Sequence, residues 1–182
     1  MKKSEKKWMS LMKKRSLSLS SFLIIFFFII CSFSNSEDLK FIYGKPTIID
    51  GDTIKIGNQI VRFQGIDAPE SFYRGKKQKC YLNEKKVFCG ELSKQKLKEK
   101  IRDNIVSCIK EEKKDRYQRI IAECFINGKS LSSFMVRNGY AFDYKRYSNK
   151  KYAEDEKYAK INKLGIWKMK FEYPWEWRKK NK

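Results

Sequence analysis

Four acidic side chains lie close together in a chain that is otherwise strongly basic. They are Asp50, Asp52, Asp67 and Glu70, and they fall within 21 residues of a sequence that holds 42 Lys and Arg against 21 Asp and Glu. Carboxylates at strand ends can converge on one hard cation, because calcium takes its ligands from carboxylate, carbonyl and water oxygens. Asp52 and Asp67 are therefore the predicted metal ligands, and Glu70 is left to activate water.

Two arginines near these acids suit a phosphodiester substrate, because a guanidinium donates two parallel hydrogen bonds to phosphate oxygens. Arg62 precedes Asp67 by five residues, and Arg119 closes a second polar segment, 115–119. Each feature alone has a plainer explanation, since Asp-Gly-Asp-Thr suits a turn and an arginine can pair with a surface acid. Together they indicate metal-assisted cleavage of a phosphodiester.

The composition excludes several other mechanisms. The chain of 182 residues contains no histidine, which rules out a Ser-His-Asp or Cys-His hydrolase and any His-ligated zinc. Acid–base chemistry must then fall to Asp, Glu, Lys, Tyr or Cys. The formal net charge of +21 makes a polyanion or an anionic membrane surface the expected partner.

The first 36 residues have the layout of a targeting segment. Seven basic residues and one acid precede a short apolar run at 22–30, and small serines follow it. This pattern predicts a cleaved secretory signal peptide, with an uncleaved membrane anchor over 17–33 as the alternative. Removing 1–36 takes away seven positive charges and one negative charge, so residues 37–182 carry +21 − 6 = +15. The expected location is secreted or periplasmic.

Four cysteines in an exported chain suggest disulfides, and four cysteines allow three pairings. We favour Cys80–Cys89, which brackets one loop, and Cys108–Cys124, which joins two β-type runs. Free thiols in a reducing compartment would be the alternative. A four-cysteine zinc site is weaker, since no Cys-x-x-Cys spacing occurs.

The elements expected to position these residues follow the order β-β-β-α-β-β-α-α. Strand patterns cover 40–66 and the runs 105–109 and 120–126, with a polar basic loop at 71–88. Helical patterns cover 90–101, 130–138 and 149–163. The predicted fold class is α+β, mainly β: a five-stranded OB-fold barrel with three helices.

The motifs, in this order, resemble the staphylococcal nuclease (thermonuclease) family and its exported bacterial branch. They are IIDGDTIKI, IVRFQGIDAPES, DRYQRIIAEC, FMVRNGYA and GIW, and they extend from about Lys40 to Trp167. The resemblance implies a calcium-dependent nuclease that cleaves DNA and RNA and leaves 3′-phosphate and 5′-hydroxyl ends.

The same resemblance implies a role for each matching residue. Asp52, Asp67 and the backbone carbonyl of Ala68 would bind Ca2+, and Asp50 would lie close to the metal without binding it directly. Ala68 stands where the family commonly has threonine, a harmless change because only its carbonyl is needed.

Further matches concern catalysis and substrate. The resemblance implies that Glu70 takes a proton from the attacking water or orients that water. It also implies that Arg62 and Arg119 bind the scissile phosphate. The substrate-contacting residues it implies are Arg116, Tyr117, Tyr144 and Tyr147. Gln118 replaces the family's usual glycine before the second arginine.

Two other functions compete with a nuclease. A non-catalytic nucleic-acid-binding module on the same barrel would be expected to lose the acids or arginines, and none is lost. A membrane-surface protein would explain the basic charge but leaves the acid cluster unexplained. The sequence therefore predicts an enzyme with DNA and RNA as partners, a monomeric state, and a membrane contact only through an uncleaved N-terminal segment.

Overall fold

The structure is a computed structural model that describes residues 40–182. The predicted targeting segment, 1–36, lies outside the described residues. Across residues 40–182 the structure contains no helix that is long and apolar enough to cross a membrane.

Eleven strands and five α-helices follow one another in the described part of the chain. The strands are β1 (Phe41–Gly44), β2 (Pro46–Asp50), β3 (Thr53–Ile56), β4 (Gln59–Phe63), β5 (Ile66–Asp67), β6 (Lys79–Leu82), β7 (Lys85–Phe88), β8 (Val106–Lys114), β9 (Ile120–Ile126), β10 (Lys129–Ser130) and β11 (Phe142–Asp143). The helices are α1 (Cys89–Ile101), α2 (Leu131–Arg137), α3 (Lys145–Ser148), α4 (Ala153–Ile161) and α5 (Pro174–Lys180), with a 3-10 turn at Gly165–Lys168.

The main sheet has the strand order β1-β8-β9-β4-β3-β2, with β10 paired to β9. All its pairs are antiparallel except β4 with β9, so the sheet is mixed. The sheet curls until β1 meets β3: a Cβ added at Gly44 would lie only 2.8 Å from the Ile56 side chain. This curled sheet with flanking helices confirms the predicted α+β class and OB-type barrel, although its strands outnumber the five expected.

The core fills the inside of the curl. Side chains alternate between inside and outside along β3 and β4, which is why Ile54, Val61 and Phe63 are almost completely buried. Helices α1 and α2 close the core through Leu97 and Met135, both fully buried. This packing fixes the strand ends on which the polar residues lie.

A second, aromatic cluster holds the C-terminal segment. Buried Phe142 packs against the aromatic rings of Trp167, Phe171, Tyr173 and Trp175, with centroid distances between 5.0 and 6.3 Å. The aromatic tail, residues 171–177, therefore packs as part of the domain, and its last four residues begin α5.

Three expectations about local structure need correction. The segment 71–88, expected to be a loop, contains the hairpin β6–β7. The helix expected over 149–163 is shorter, with α3 before it and α4 beginning only at Ala153. The tail after Pro174 was not expected to be helical, but it forms α5, which proline can begin because its missing N–H is not needed there.

Both favoured cysteine pairs are joined in the structure. The sulfur atoms are 2.11 Å apart in Cys80–Cys89 and 2.07 Å apart in Cys108–Cys124. Cys108 and Cys124 are direct cross-strand partners on β8 and β9. Cys80–Cys89 ties the hairpin to the start of α1.

Candidate active site

Asp52 lies in the turn between β2 and β3 and is 3% exposed. Its Oδ1 accepts hydrogen bonds from Thr53 Oγ1 at 2.8 Å and Arg62 Nη1 at 2.6 Å. Its Oδ2 accepts one from the backbone N–H of Ala68 at 2.8 Å. The two predicted metal-binding segments are thus joined directly, because Asp52 reaches the backbone next to Asp67.

Asp67 ends β5 and is completely buried. It is held by the pairing of β5 with β11, in which it faces Phe142. Arg62, which lies opposite Thr53 in the β3–β4 register, bridges the two aspartates, with Nη2 donating to Asp67 Oδ1 at 2.6 Å. Burial opposes the charge of Arg62, but Asp52 and Asp67 outweigh it and raise its pKa.

Asp50 and Glu70 complete the acid cluster. Asp50 accepts hydrogen bonds from the backbone N–H groups of Gly51 and Ser71. Burial, together with the negative charges of Asp52 and Glu70, nevertheless raises the pKa of Asp50 to about 8. Burial and Asp52 also raise the pKa of Glu70. Repulsion between these carboxylates is an electrostatic cost that a bound cation would relieve.

Arg119 is part of a neighbouring ion pair. Its Nε donates to Asp115 Oδ2 at 2.7 Å, and its Nη1 lies 3.5 Å from Thr53 Oγ1, which itself donates to Asp52. The structure therefore connects Arg119 to the acid cluster through Thr53. Gln118 adopts a φ of 62°, the left-handed conformation for which the family's usual glycine is better suited.

The predicted substrate-contacting residues lie in two exposed regions. Tyr117 is 59% exposed, and the guanidinium groups of Arg116 and Arg119 lie 4.7 and 5.4 Å from its ring centroid. Tyr147 is 58% exposed, so its ring is accessible to a base. Tyr144 differs from expectation, because one face of its ring stacks on Trp175 at 5.2 Å with almost parallel planes.

Sequence reasoning missed Arg178, which α5 places inside the acid cluster. Its Nη1 donates to Asp67 Oδ1 at 3.0 Å and to Glu70 Oε1 at 2.5 Å, and its Nη2 donates to Asp67 Oδ2 at 2.6 Å. Burial opposes its charge, but Asp67 and Glu70 raise its pKa. Pro174, which can begin a helix, was a sequence signal for α5, but nothing in it pointed 111 residues back from Arg178 to Asp67.

The donor set suits a divalent cation. Among residues 40–182 no three acidic or cysteine side chains form a ready-made metal cluster. The ligand set expected from the family does not require one, since it has two carboxylates and a carbonyl. Asp52 Oδ2 and Asp67 Oδ2 each accept one of the hydrogen bonds described above, and a carboxylate oxygen has two lone pairs, so each keeps one for a cation.

The charges of the cluster also favour a divalent cation. Four carboxylates, those of Asp50, Asp52, Asp67 and Glu70, face two guanidiniums inside the cluster, those of Arg62 and Arg178. The third guanidinium, Arg119, is paired with Asp115. With every group ionised, the balance is −4 + 2 = −2, which one divalent cation would neutralise.

Comparison with known proteins agrees with this combination of an OB-type barrel and a buried cluster of acids and arginines. Residues 60–169 match the family described as "Staphylococcal nuclease homologue". The chain is 31% identical over 135 residues to the succinoglycan biosynthesis protein ExoI of Rhizobium meliloti, covering 72% of this chain and 68% of that protein.

Two relatives named as endonucleases also match. An uncharacterized endonuclease of Haemophilus influenzae is 28% identical over 178 residues, which cover 94% of this chain and 89% of that protein. Endonuclease YncB of Bacillus subtilis is 31% identical over 130 residues, which cover 65% of this chain and 58% of that protein. The chain belongs to the staphylococcal nuclease family.

Proposed function

We propose that this protein is a calcium-dependent phosphodiesterase that hydrolyses DNA and RNA. Its membership of the staphylococcal nuclease family and its endonuclease relatives support the broader statement, that it is a hydrolase of the nuclease class. The dependence on calcium and the roles of individual catalytic residues are finer proposals than membership of the nuclease class. They are supported by the convergence of Asp52, Asp67, Glu70 and Arg62 in one largely buried cluster.

Asp52, Asp67 and the carbonyl of Ala68 would hold the calcium ion. Bound there, the ion would supply Lewis-acid polarisation of a phosphoryl oxygen. Asp50 would add negative charge close to the site without direct ligation. The Ala68→Thr variant keeps the backbone carbonyl and should retain activity.

Glu70 would orient the attacking water and accept its proton. Its raised pKa suits this role, because a carboxylate with higher proton affinity is a better base while it is ionised. No histidine is needed, which agrees with the composition. Glu70 is the residue whose substitution should remove the chemistry while leaving substrate binding.

Arg62 and Arg119 would bind the scissile phosphate and stabilise the charge that builds up on it. Arg62 uses three of its five N–H groups on Asp52, Asp67 and the carbonyl of Ile66, which leaves donors on Nε and Nη1. Arg119 would turn part of its guanidinium from Asp115 to the substrate. By family resemblance, cleavage leaves a 3′-phosphate and a 5′-hydroxyl.

A groove lined by lysines and aromatic rings lies beside α5 and would give a nucleic-acid strand a path. It has a volume of about 510 Å³ and is lined by Phe72, Gly75, Lys76, Lys77, Lys79, Lys86, Phe88, Trp177 and Asn181. Phe72 is only two residues from Glu70. Lysines would attract phosphates, and exposed aromatic rings would stack on bases.

The experiment that tests this function compares cleavage of single-stranded DNA and RNA by the full chain in calcium and in chelator. We expect cleavage only with calcium, and loss of cleavage without loss of binding in the Glu70→Gln variant. The Ala68→Thr variant is the control. Binding without calcium-dependent cleavage would instead support a non-catalytic nucleic-acid-binding module.

Export is a further part of the proposal. The two disulfides are compatible with an oxidising compartment outside the cytoplasm. Mass spectrometry of the N-terminus of the protein from its native cell would distinguish a chain cleaved near residue 36 from one anchored through 17–33.

A further inference from the structure

We propose that Arg178 is a positioning residue of the active site: α5 carries its guanidinium into the acid cluster, where it sets the orientation of Glu70 against Asp67. The inference rests on the proposed function of Glu70. The proposal makes helix α5 part of the active site, although α5 lies C-terminal to all the motifs that carry the resemblance to the family.

The first observation is the geometry of the contacts. A single guanidinium donates to both oxygens of Asp67 and to Oε1 of Glu70, with three distances between 2.5 and 3.0 Å. Arginine is suited to this arrangement because its planar fork fixes the relative orientation of the groups it binds. Glu70 is therefore tied to a completely buried carboxylate, and its other oxygen, Oε2, remains for water.

The second observation is that α5 is firmly held. Trp175 stacks on Tyr173 at 4.6 Å and on Tyr144 at 5.2 Å, and Pro174 is buried. Farther along the helix, Trp177 packs edge-on against Tyr73 at 6.1 Å. Because these contacts hold the helix as far as the residue before Arg178, the Arg178 side chain loses less entropy when it meets the two carboxylates.

The third observation is the charge balance. With every group ionised, the four acids, Arg178 and Arg62 together carry a net charge of −2, which a divalent cation brings to zero. Without Arg178 the same cation would leave a net negative charge in a buried site. Asp67 Oδ2 also keeps a lone pair while bound to Arg178. Both facts favour an arginine that stays in place beside the cation over one that competes with it.

The test uses the full chain with three variants: Arg178→Ala, Arg178→Lys, and Lys179→Ala as the matched control on the exposed side of the same helix. For Arg178→Ala we expect kcat to fall at least about tenfold and KM to change less than about threefold, because Arg178 contacts the carboxylates and not the substrate. Arg178→Lys should recover only part of the lost kcat, since the lysine ammonium group cannot donate the parallel hydrogen bonds of a planar guanidinium. Added methylguanidinium should partly rescue Arg178→Ala.

A second measurement does not depend on activity. Hydrogen exchange of the peptide 172–182 is followed with and without calcium. We expect protection that is unchanged or greater with calcium, because Arg178 remains docked. Faster exchange with calcium would show that the helix and the cation compete, and would overturn the proposal.

The remaining outcomes are equally decisive. Equal or higher activity of Arg178→Ala, or full activity of Arg178→Lys, would overturn the positioning role. If Arg178→Ala unfolds, the lysine variant alone decides the matter. If the wild-type chain shows no calcium-dependent cleavage, the proposed function itself is refuted. If the wild-type chain cleaves and the Arg178→Ala variant cleaves equally well, only the positioning role of Arg178 is refuted.

Discussion

Gly90 offers a way to move Glu70 without touching any charged group. It lies in the first turn of α1, where a Cβ would be 2.0 Å from the carbonyl oxygen of Glu70 and 2.4 Å from the backbone nitrogen of Ser71. Cβ atoms essentially never approach a heavy atom within 3.0 Å, so Gly90→Ala requires the Glu70 backbone to retreat by about 1 Å. That carbonyl also accepts the N–H of Gln78 at 3.0 Å, so the shift would weaken a hydrogen bond.

Two effects of this substitution oppose each other. Alanine is a better helix former than glycine by about 0.5–1 kcal/mol, which would stabilise α1. Overpacking against a fixed backbone costs about 1–3 kcal/mol, so the collision should prevail and the protein should lose about 1–2 kcal/mol of stability. If Glu70 has its proposed catalytic role, a displacement of about 1 Å can cost about 100-fold in rate, equivalent to about 2.7 kcal/mol of activation free energy.

The assay is calcium-dependent cleavage of single-stranded DNA, with stability measured by urea unfolding. Gly57→Ala is the control, because its added Cβ meets nothing within 4 Å while its φ of 56° still disfavours alanine. The control should lose about 1 kcal/mol of stability and keep its rate. If Gly90→Ala were more stable than the wild type and fully active, the packing of α1 on Glu70 would not position that residue.

Three further predictions concern chemistry, pH and substrate binding. Glu70→Gln and Arg119→Ala should each lower kcat by orders of magnitude in a chain that urea unfolding shows to be folded, and full activity of either would refute its role. In chelator, stability should fall as pH rises from about 4 to about 8, by up to about 1.4 kcal/mol per pH unit, because Asp50 holds a proton when folded (pKa about 8) but not when unfolded (3.8). Asp50→Asn should flatten this curve in urea unfolding at several pH values, and a rise of stability over the range would contradict the assignment. Changing both Lys79 and Lys86 to alanine should reduce the slope of log binding constant against log salt by about 1.4 for single strands, and an unchanged slope would remove the groove from the substrate path.

The sequence could predict which side chains converge at the centre of the candidate site, because these residues are close together in the chain. Asp52 and Arg62 belong to one β-hairpin, in which Thr53 is paired with Arg62. Asp67 follows Arg62 by five residues on the next strand. Short connections between consecutive strands allow few arrangements of the chain. Turn residues and the alternation of inward and outward side chains were therefore enough to predict that these side chains lie close together.

The parts that the sequence did not predict depend on long-range packing or on unusual turns. The hairpin β6–β7 turns at Asn83 and Glu84, both with positive φ, where a glycine would have been the recognisable signal. Tyr144 stacks on Trp175 because the aromatic tail folds back onto Phe142. No periodicity or spacing could have shown that α5 would dock there.

Two features of the composition, the large positive charge and the absence of histidine, also bear on the role proposed for Arg178. A domain with a large positive charge attracts a polyphosphate, but a cation-binding centre needs concentrated negative charge inside it. Four carboxylates so close together repel one another, and burial together with the charges of Asp52 and Glu70 raises the pKa of Asp50. Arg62 and Arg178 offset part of that repulsion. The negative charge that remains is what a divalent cation would balance. In the proposed mechanism no histidine shares the acid–base chemistry, so Glu70 would have to stay ionised and correctly oriented. Among residues 40–182, Arg178 is the side chain that contacts Glu70 through a charged hydrogen bond.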